Sequence, residues 1–300
     1  MGDFASVCAV VVTYNRRELL REALAAVLAQ TAPVARILVI DNASTDGTDA
    51  MLRAEFGPEK FPQIEHVPLP GNVGGAGGFK EGMRRAAEGA HEWLWLLDDD
   101  TIANPDALEQ LLEAWRRFPE GPRQPELLTS QAIWSDGGVH PMNVPHFKHE
   151  DAAAEYYAVD RGCVSIRTAT FVSLLVRRRC IAEFGLPFAD YFIWRDDIEY
   201  TGRILRDKIG VLVPRSVVLH KTRTKYAPQH GSAERFYYFV RNGVWMHVRS
   251  SAFRRNELVK LWVVFLHAIV DFLRGSSERS AGIRSIARGL WDGFFNRPRG

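Results

Sequence analysis

Three aspartates in succession, Asp98-Asp99-Asp100, follow the apolar run 93–97 and precede Thr101. Adjacent carboxylates repel one another, so the triplet is costly unless a cation or hydrogen-bond donors compensate it. A divalent ion, Mn²⁺ or Mg²⁺, does this well, and the Asp-x-Asp spacing of Asp98 and Asp100 lets one carboxylate reach the ion and the other a ribose. An ion held there would act as a Lewis acid on a diphosphate leaving group. The plain alternative is a solvated acidic turn capping a helix that begins near Pro105.

A second acidic group follows an aromatic run, Tyr191-Phe192-Ile193-Trp194-Arg195-Asp196-Asp197-Ile198-Glu199. Carboxylates at a helix start often serve only as caps or dipole partners. Attack by a hydroxyl with inversion at carbon needs one more carboxylate to take the proton, and Asp197 is the candidate base. Asp196 and Glu199 would then orient it or hold acceptor hydroxyls. His220 ends another apolar run and could bring an imidazole nitrogen to the same metal, although a lone histidine after a strand is commonly a surface or core residue.

These groups need a scaffold that brings distant segments to one rim. Residues 7–13 (VCAVVVT) read as a strand, and 16–30 carry Leu19, Leu20, Ala23, Leu24, Val27 and Leu28 at helical spacing. A strand at 36–41, a turn with Ser44 or Asp46 as helix cap, a strand at 64–69, a helix at 77–89 and a strand at 93–97 continue the alternation. Strands alternating with helices predict an α/β, mostly parallel, doubly wound sheet. Ligands gather at the carboxyl ends of such strands. Those ends carry Thr13, Asn15 and Arg16, then Asp41, then Asn72 with Gly74 and Gly75, and finally the acid triplet.

The glycine-rich loop 72–79 (NVGGAGGF) does not fit Gly-x-Gly-x-x-Gly, because counting from Gly75 the last position is Lys80. It either lets backbone approach a nucleotide or permits tight helix packing. Beyond residue 120 the alternation weakens, and glycine, proline and histidine become frequent through His149, which predicts a long surface excursion. A strand at 170–176, a helix at 198–206, a strand at 210–219 and a helical tail from Phe253 complete the expectation. The division expected is a catalytic unit over 1–250, with a nucleotide half to about 120 and an acceptor half after it, and a helical extension over 251–300.

Of the 300 residues 46% are hydrophobic and 25% charged, as in ordinary globular proteins. A formal net charge of +2 supplies no global field for nucleic acid. Cys8, Cys163 and Cys180 stand far apart, which argues against zinc knuckles and disulfide scaffolds and points to a reducing cytoplasm. The start, Met1-Gly2-Asp3-Phe4, lacks a basic region and cleavage site, so no signal peptide is expected. The apolar stretch 258–273 is broken by Lys260, His267 and Asp271. In the tail, Leu258, Trp262, Phe265, Ile269 and Phe272 share one helical face, and Ile283, Ile286, Leu290 and Phe294 recur in a second helix. Nine Lys or Arg stand against four acids over 254–299. A basic amphipathic helix can lie on a membrane surface, here the inner face of the cell membrane, or dock on the catalytic unit or another subunit to form an oligomer.

Taken together, VVTYNR (11–16), VIDNASTDGT (39–48), NVGGAGGF, LLDDDT (96–101), WRDDIE (194–199) and LHKT (219–222) resemble the ordered motif set of family-2 glycosyltransferases with the GT-A fold. The resemblance covers about residues 6–245. It implies inverting transfer from a UDP- or dTDP-sugar with a divalent cation. Thr13 and Asp41 would contact base and ribose, Asp98, Asp99 and Asp100 ribose, phosphates and metal, Asp197 the acceptor hydroxyl, and His220 the metal. The glycine loop and the aromatic–acidic run are similar to bacterial galactofuranosyltransferases of cell-wall galactan, which implies UDP-galactofuranose; rhamnosyltransferases share much of the pattern. The acceptor implied is a glycan or polyprenyl-diphosphate-linked saccharide. Trp194 and Tyr238 could meet an acceptor sugar, and Arg241 could pair with a phosphate. A sugar-phosphate nucleotidyltransferase would normally carry a glycine-rich signature with Arg and Lys where this chain has Thr13-Tyr14-Asn15-Arg16.

Overall fold

The computed structural model describes residues 6–148, 152–223, 225, 232–275 and 279–299. The opening Met1–Phe4, on which the signal-peptide expectation rests, and His149 lie outside them.

The first part of the chain alternates as its periodicity requires. Strands β1 (Val7–Thr13), β2 (Arg36–Asp41), β3 (Ile64–Pro68) and β4 (Trp93–Asp98) are linked by helices α1 (Arg17–Leu28), α2 (Thr48–Phe56) and α3 (Gly74–Ala87). Both faces of β1 are buried. Val7, Ala9 and Val11 pack with Trp93, Trp95 and Leu97 on one side, whereas Cys8, Val10 and Val12 pack with Leu94 and Leu96 on the other. That division is the two-residue period of a strand covered by helices on both faces. The parallel register pairs Thr13 with Asp41 and Val12 with Asp98, so three strands end at one level. Asp46 accepts from the Arg17 amide at 2.9 Å and from the Thr48 hydroxyl at 2.6 Å, tying the starts of α1 and α2 to one carboxylate.

The rest of the sheet is built differently. After β5 (Thr101–Ala103) and α4 (Ala107–Arg116) come β6 (Leu127–Ile133), β7 (His146–Phe147), α5 (Ala152–Val159), β8 (Val164–Thr168), β9 (Leu174–Arg177), α6 (Arg179–Phe184), α7 (Asp196–Leu205) and β10 (Gly210–His220). The sheet runs β3-β2-β1-β4-β9-β6-β10-β8-β7, with β5 on β10. Its parallel pairs are β1–β2, β1–β4, β2–β3 and β6–β10, and the remaining pairings are antiparallel. The antiparallel β5–β10 pairing sets His220 opposite Thr101 and so beside the triplet.

The expected surface excursion after residue 120 is corrected here. Residues 127–133 form β6 inside the sheet, between β9 and β10. The sequence LLTSQAI hides this because its Thr and Ser are buried in a polar seam. Ser130 Oγ lies 2.6 Å from the hydroxyls of both Ser173 and Ser216. Hydrogen-bonded hydroxyls remove the desolvation penalty that hydropathy patterns assume.

Three helices close the chain: α8 (Ala233–Val248), α9 (Arg255–Gly275) and α10 (Arg279–Phe295). On α9, Phe265 and Phe272 are buried with Trp262 and Ile269 against α8. On α10 the buried face is not the expected one. Ile286 and Leu290 pack inward, but Ile283 and Phe294 are exposed, and Gly282, Gly289 and Gly293 are buried in their place. A Cβ on Gly293 would meet Val244 at 2.6 Å, so glycine lets α10 press against α8 more closely than its large residues would. No helix among the described residues is long and apolar enough to cross a membrane.

Candidate active site

A cavity of about 1010 Å³ opens at the level where β1, β2 and β4 end. Thr13, Arg16, Asn72, Gly74, Gly75, Asp98, Asp99, Asp100 and His220 line one end, and Trp194, Asp196 and Asp197 line it further along. The two acidic groups therefore share one space.

Within the first end, one ligand atom each from Asp98, Asp100 and His220 fall within 4.8 Å of one another. His220 Nδ1 lies 2.7 Å from Asn143 Oδ1, whose amide nitrogen donates to Thr170 Oγ1 at 3.1 Å. An amide oxygen only accepts, so Nδ1 carries the hydrogen and Nε2 of the neutral ring is a lone pair. That lone pair faces Asp100 Oδ1 at 3.1 Å, and this buried oxygen has no other partner, so the two are bonded only when a proton lies between them. Two acceptors so placed need a proton or a cation between them. The donor set of two carboxylates and one imidazole suits Mn²⁺ or Mg²⁺, which at this place would neutralise a diphosphate leaving group. Asn143 is the supporting residue that fixes the ring.

Arginine compensates the rest of the triplet. Arg16 donates to Asp100 Oδ2 at 2.5 Å and to Asp99 Oδ1 at 3.2 Å, and Thr13 Oγ1 donates to Asp99 Oδ2 at 2.8 Å. Burial would raise Asp100, but its bonds to His220 and Arg16 outweigh that and hold it below the usual carboxylate range. Burial dominates at Asp99, pushed up to about 7, and at Asp98, pushed up to about 6 with Asp100 adding to the rise. For His220, burial opposes the charge, but the bond to Asp100 prevails and raises it.

The second acidic group sits on a strained loop. Phe192, Trp194 and Arg195 have φ of 63°, 66° and 70°, values that non-glycine residues rarely adopt. Asn242, fully buried on α8, donates through Nδ2 to the carbonyls of Tyr191, Ile193 and Trp194 at 2.8, 2.9 and 2.9 Å. This clamp holds the start of α7 against the cavity. Burial pushes Asp197 up to about 7, against a hydrogen bond from the Ile198 amide. Asp196 is pushed well above the usual range, by burial first and then by the charge of Asp197. Of the two, Asp197 is the carboxylate more readily ionised near neutral pH.

Gly74, at φ +74°, brings the glycine-rich loop onto the same strained segment, since a Cβ there would meet Phe192 O at 2.1 Å. Gly78 and Gly82 rest on Val12 and Val10, where a Cβ would meet methyl carbons at 2.5 and 2.3 Å. Helix packing accounts for these two. Gly75 has nothing within 4 Å of its Cβ position and borders the cavity.

Other candidates lie outside the cavity wall. Asn15 binds the 42–47 turn, its Oδ1 accepting from the Thr45 amide at 2.7 Å. Asp41 is buried, accepting from the Ser44 amide at 2.8 Å with His66 Nε2 at 3.3 Å. Glu199 is fully buried, paired with Arg203 at 2.9 Å and accepting from Ser250 at 2.7 Å, so it braces α7 from behind. Tyr238 stacks on Phe192 at 5.0 Å. Arg241 donates to the carbonyls of Asp190 and Tyr191 and lies over Trp245 at 4.2 Å, which leaves its guanidinium turned into the fold. The residues that sequence reading missed are Asn143, in the segment taken for an excursion, and Asn242. The tail also takes part, since Leu261, Val264, Phe265 and His267 of α9 line the far end of the cavity.

The geometry can be compared with known proteins. Residues 8–121 match the model for glycosyl transferase family 2. Over that stretch the chain is similar to family-2 glycosyltransferases. Galactofuranosyltransferase GlfT1 of Mycolicibacterium smegmatis is 40% identical over 94 residues, 31% of this chain and 30% of that protein. GlfT1 of Mycobacterium tuberculosis is 29% identical over 220 residues, 67% of this chain and 65% of the relative, so the chain spans less than two thirds of either GlfT1. The N-acetylglucosaminyl-diphospho-decaprenol L-rhamnosyltransferase of Mycobacterium tuberculosis is 26% identical over 234 residues, 70% of this chain and 74% of that protein. In structure, S. aureus TarS in complex with UDP-GlcNAc superimposes with a TM-score of 0.61 at 14% identity, covering 95% of this chain and 80% of TarS. That likeness places the chain in the GT-A fold.

Proposed function

We propose that the chain is an inverting glycosyltransferase that moves a sugar from a UDP-sugar to a hydroxyl of a glycan or lipid-linked saccharide in cell-envelope synthesis. The observation that carries this is the single cavity shared by Asp98, Asp100 and His220 with Asp197. Thr13, Arg16, Asn72, Gly74, Gly75 and Asp99 form the wall for nucleotide and donor sugar, and Asp41 and Asn15 shape its floor from behind. Asp98, Asp100 and His220 would hold a divalent cation, which would neutralise the charge of the leaving diphosphate. Asp197 accepts the proton of the attacking hydroxyl, and Asp196, whose pKa burial raises well above the usual range, stands beside it to hold a substrate hydroxyl. Trp194 offers a face for the acceptor sugar.

The galactofuranosyltransferase relatives favour UDP-galactofuranose as donor. The rhamnosyltransferase relative supports dTDP-rhamnose as a second reading, and its diphospho-decaprenol substrate supports a polyprenyl-diphosphate acceptor. The place of action is the cytoplasmic face of the cell membrane. In support, α9 exposes Val259, Val263, Val264 and Leu266, and α10 exposes Trp291 and Phe295, beside the basic residues of the tail. The catalytic unit spans 1–250, with 251–300 as an extension that also walls the acceptor end.

The test is a screen of nucleotide sugars with Mn²⁺ or Mg²⁺, with lipid-linked and simple glycoside acceptors. Acceptor-dependent release of nucleoside diphosphate is expected. Release of pyrophosphate from a nucleoside triphosphate and a sugar phosphate would instead make the chain a nucleotidyltransferase.

A further inference from the structure

We propose that Arg195 anchors a phosphate carried by the acceptor, in a subsite between the start of α7 and helix α9. The inference rests on the glycosyl-transfer reading above and deepens it by naming the side chain that meets the phosphate of a lipid-linked acceptor.

Arg195 differs from Arg16, which lines the same cavity, and from Arg167 and Arg203. Arg16 pairs with Asp99 and Asp100, Arg167 with Glu257, and Arg203 with Glu199. Arg195 has no carboxylate partner and no side-chain hydrogen bond among the described residues, and its Nε is buried with none. Its guanidinium carbon lies 4.1 Å from the ring centroid of Phe239 and 5.5 Å from that of Phe265. Burial pushes its pKa down to about 10, the cost of holding a cation among rings. Asp197 is the one carboxylate whose charge reaches it, with no hydrogen bond between the two, so the buried Nε stays unpaired unless a ligand supplies an acceptor.

The surroundings specify that ligand. Arg195 lines the cavity next to Asp197 and lowers its pKa, so an anion on Arg195 lies beside the proton-accepting carboxylate. Arg235, also lining the cavity, sits over Trp194 at 5.8 Å and adds a second positive charge. The part of the wall that α9 supplies is largely apolar, Leu261, Val264, Phe265 and Ala268, with Met246 of α8 also lining the cavity and His267 and Asp271 the polar members on α9. Val264 is 64% exposed, and Val263 and Leu266 beside it are 49% and 55% exposed, so the apolar track continues onto the outer face of α9. A ligand that follows this path presents a sugar at Asp197, a phosphate at Arg195 and a greasy chain along α9. A planar guanidinium suits a phosphate better than it suits sugar hydroxyls.

The experiment is titration of the full chain with geranyl diphosphate at saturating UDP and Mn²⁺, followed by calorimetry, for wild type, Arg195→Met and Arg195→Lys. Wild type is expected to bind, Arg195→Met to bind about thirtyfold more weakly or worse, and Arg195→Lys to fall between. Geraniol is expected to bind none of them, and UDP affinity is expected to match across all three. Equal affinity in wild type and Arg195→Met, absence of binding to wild type, or equally tight binding of geraniol would overturn the proposal. Should Arg195→Met fail to fold, undiminished binding by Arg195→Lys would overturn it alone. Phosphatidylglycerol vesicles form the second arm: equal vesicle binding by wild type and Arg195→Met is expected. Loss of vesicle binding in Arg195→Met with geranyl diphosphate binding intact would assign Arg195 to a membrane headgroup and overturn the acceptor site. A wild type that binds geranyl diphosphate through Arg195, yet releases no nucleoside diphosphate from any nucleotide sugar, would overturn the transfer reading and keep the phosphate site.

Discussion

The two acidic ends of the cavity are held in opposite ways. Asp98, Asp99 and Asp100 leave the end of a central strand, where Arg16 pairs with Asp99 and Asp100 and Thr13 donates to Asp99, and where Asp98, Asp100 and His220 are grouped to hold a cation. Asp196 and Asp197 open α7 directly after a loop with three residues at positive φ, and among the described residues they receive no hydrogen bond from a charged side chain. Strain and burial there are upheld by a distant clamp, Asn242. A site that must grip a charged leaving group is built with its compensation. A site that must take up a proton is kept short of it.

The contrast can be broken by substitution. The largest effect is expected from Asp197→Asn, which removes the proton acceptor and leaves the metal-ligating end untouched. Acceptor-dependent nucleoside diphosphate release should fall about 10²- to 10⁴-fold, with UDP affinity by calorimetry unchanged. Equal losses of both would merge the two ends into one. Next comes Asn143→Ala, which frees the His220 ring: Mn²⁺ affinity should drop about ten- to a hundredfold. Manganese titration by electron paramagnetic resonance reads this, and an unaltered affinity would remove Asn143 from its supporting role. Asn242→Leu leaves three carbonyls without their donor, and denaturant unfolding should show a loss of at least about 2 kcal/mol. A loss confined to turnover, with stability intact, would contradict the clamp.

The smallest effect concerns pH. Asp197 and Asp99 are raised to about 7 and Asp98 to about 6 in the folded chain. The folded state therefore holds more protons than the unfolded state between about pH 4 and 7, and metal-free stability declines as pH rises through that window. Above pH 7 these groups are ionised in both states and the penalty is complete. Asp197→Asn should accordingly gain melting temperature over wild type at pH 8 in chelator and show little gain at pH 4. A gain of the same size at both would deny the raised pKa.

How much of this was legible depended on which element carries the signal. Strands β1 to β4 declared themselves because burial on both faces leaves unbroken apolar runs, and their shared polar ends followed from topology. β6 did not, because inside the sheet Thr129 donates to the Ser173 carbonyl and Ser130 is satisfied by the hydroxyls of Ser173 and Ser216. Asn143 was hidden in a segment whose prolines and glycines read as surface. The wrong face of α10 was chosen because helical periodicity counts large residues, and here small ones make the contact. Arg241 and Arg195 are alike as letters. Only coordinates separate a guanidinium bound to backbone carbonyls from one left facing the cavity.

The central claim is that a nucleotide diphosphate held at residues 98, 100 and 220 directs its sugar toward Asp197. A crystal structure with UDP-galactofuranose, or UDP if the donor turns over, and Mn²⁺ tests it most directly. Anomalous density for manganese should fall between Asp98, Asp100 and His220, with the diphosphate on the side that faces the start of α7. Manganese elsewhere, or a diphosphate pointing away from Asp197, would contradict the account.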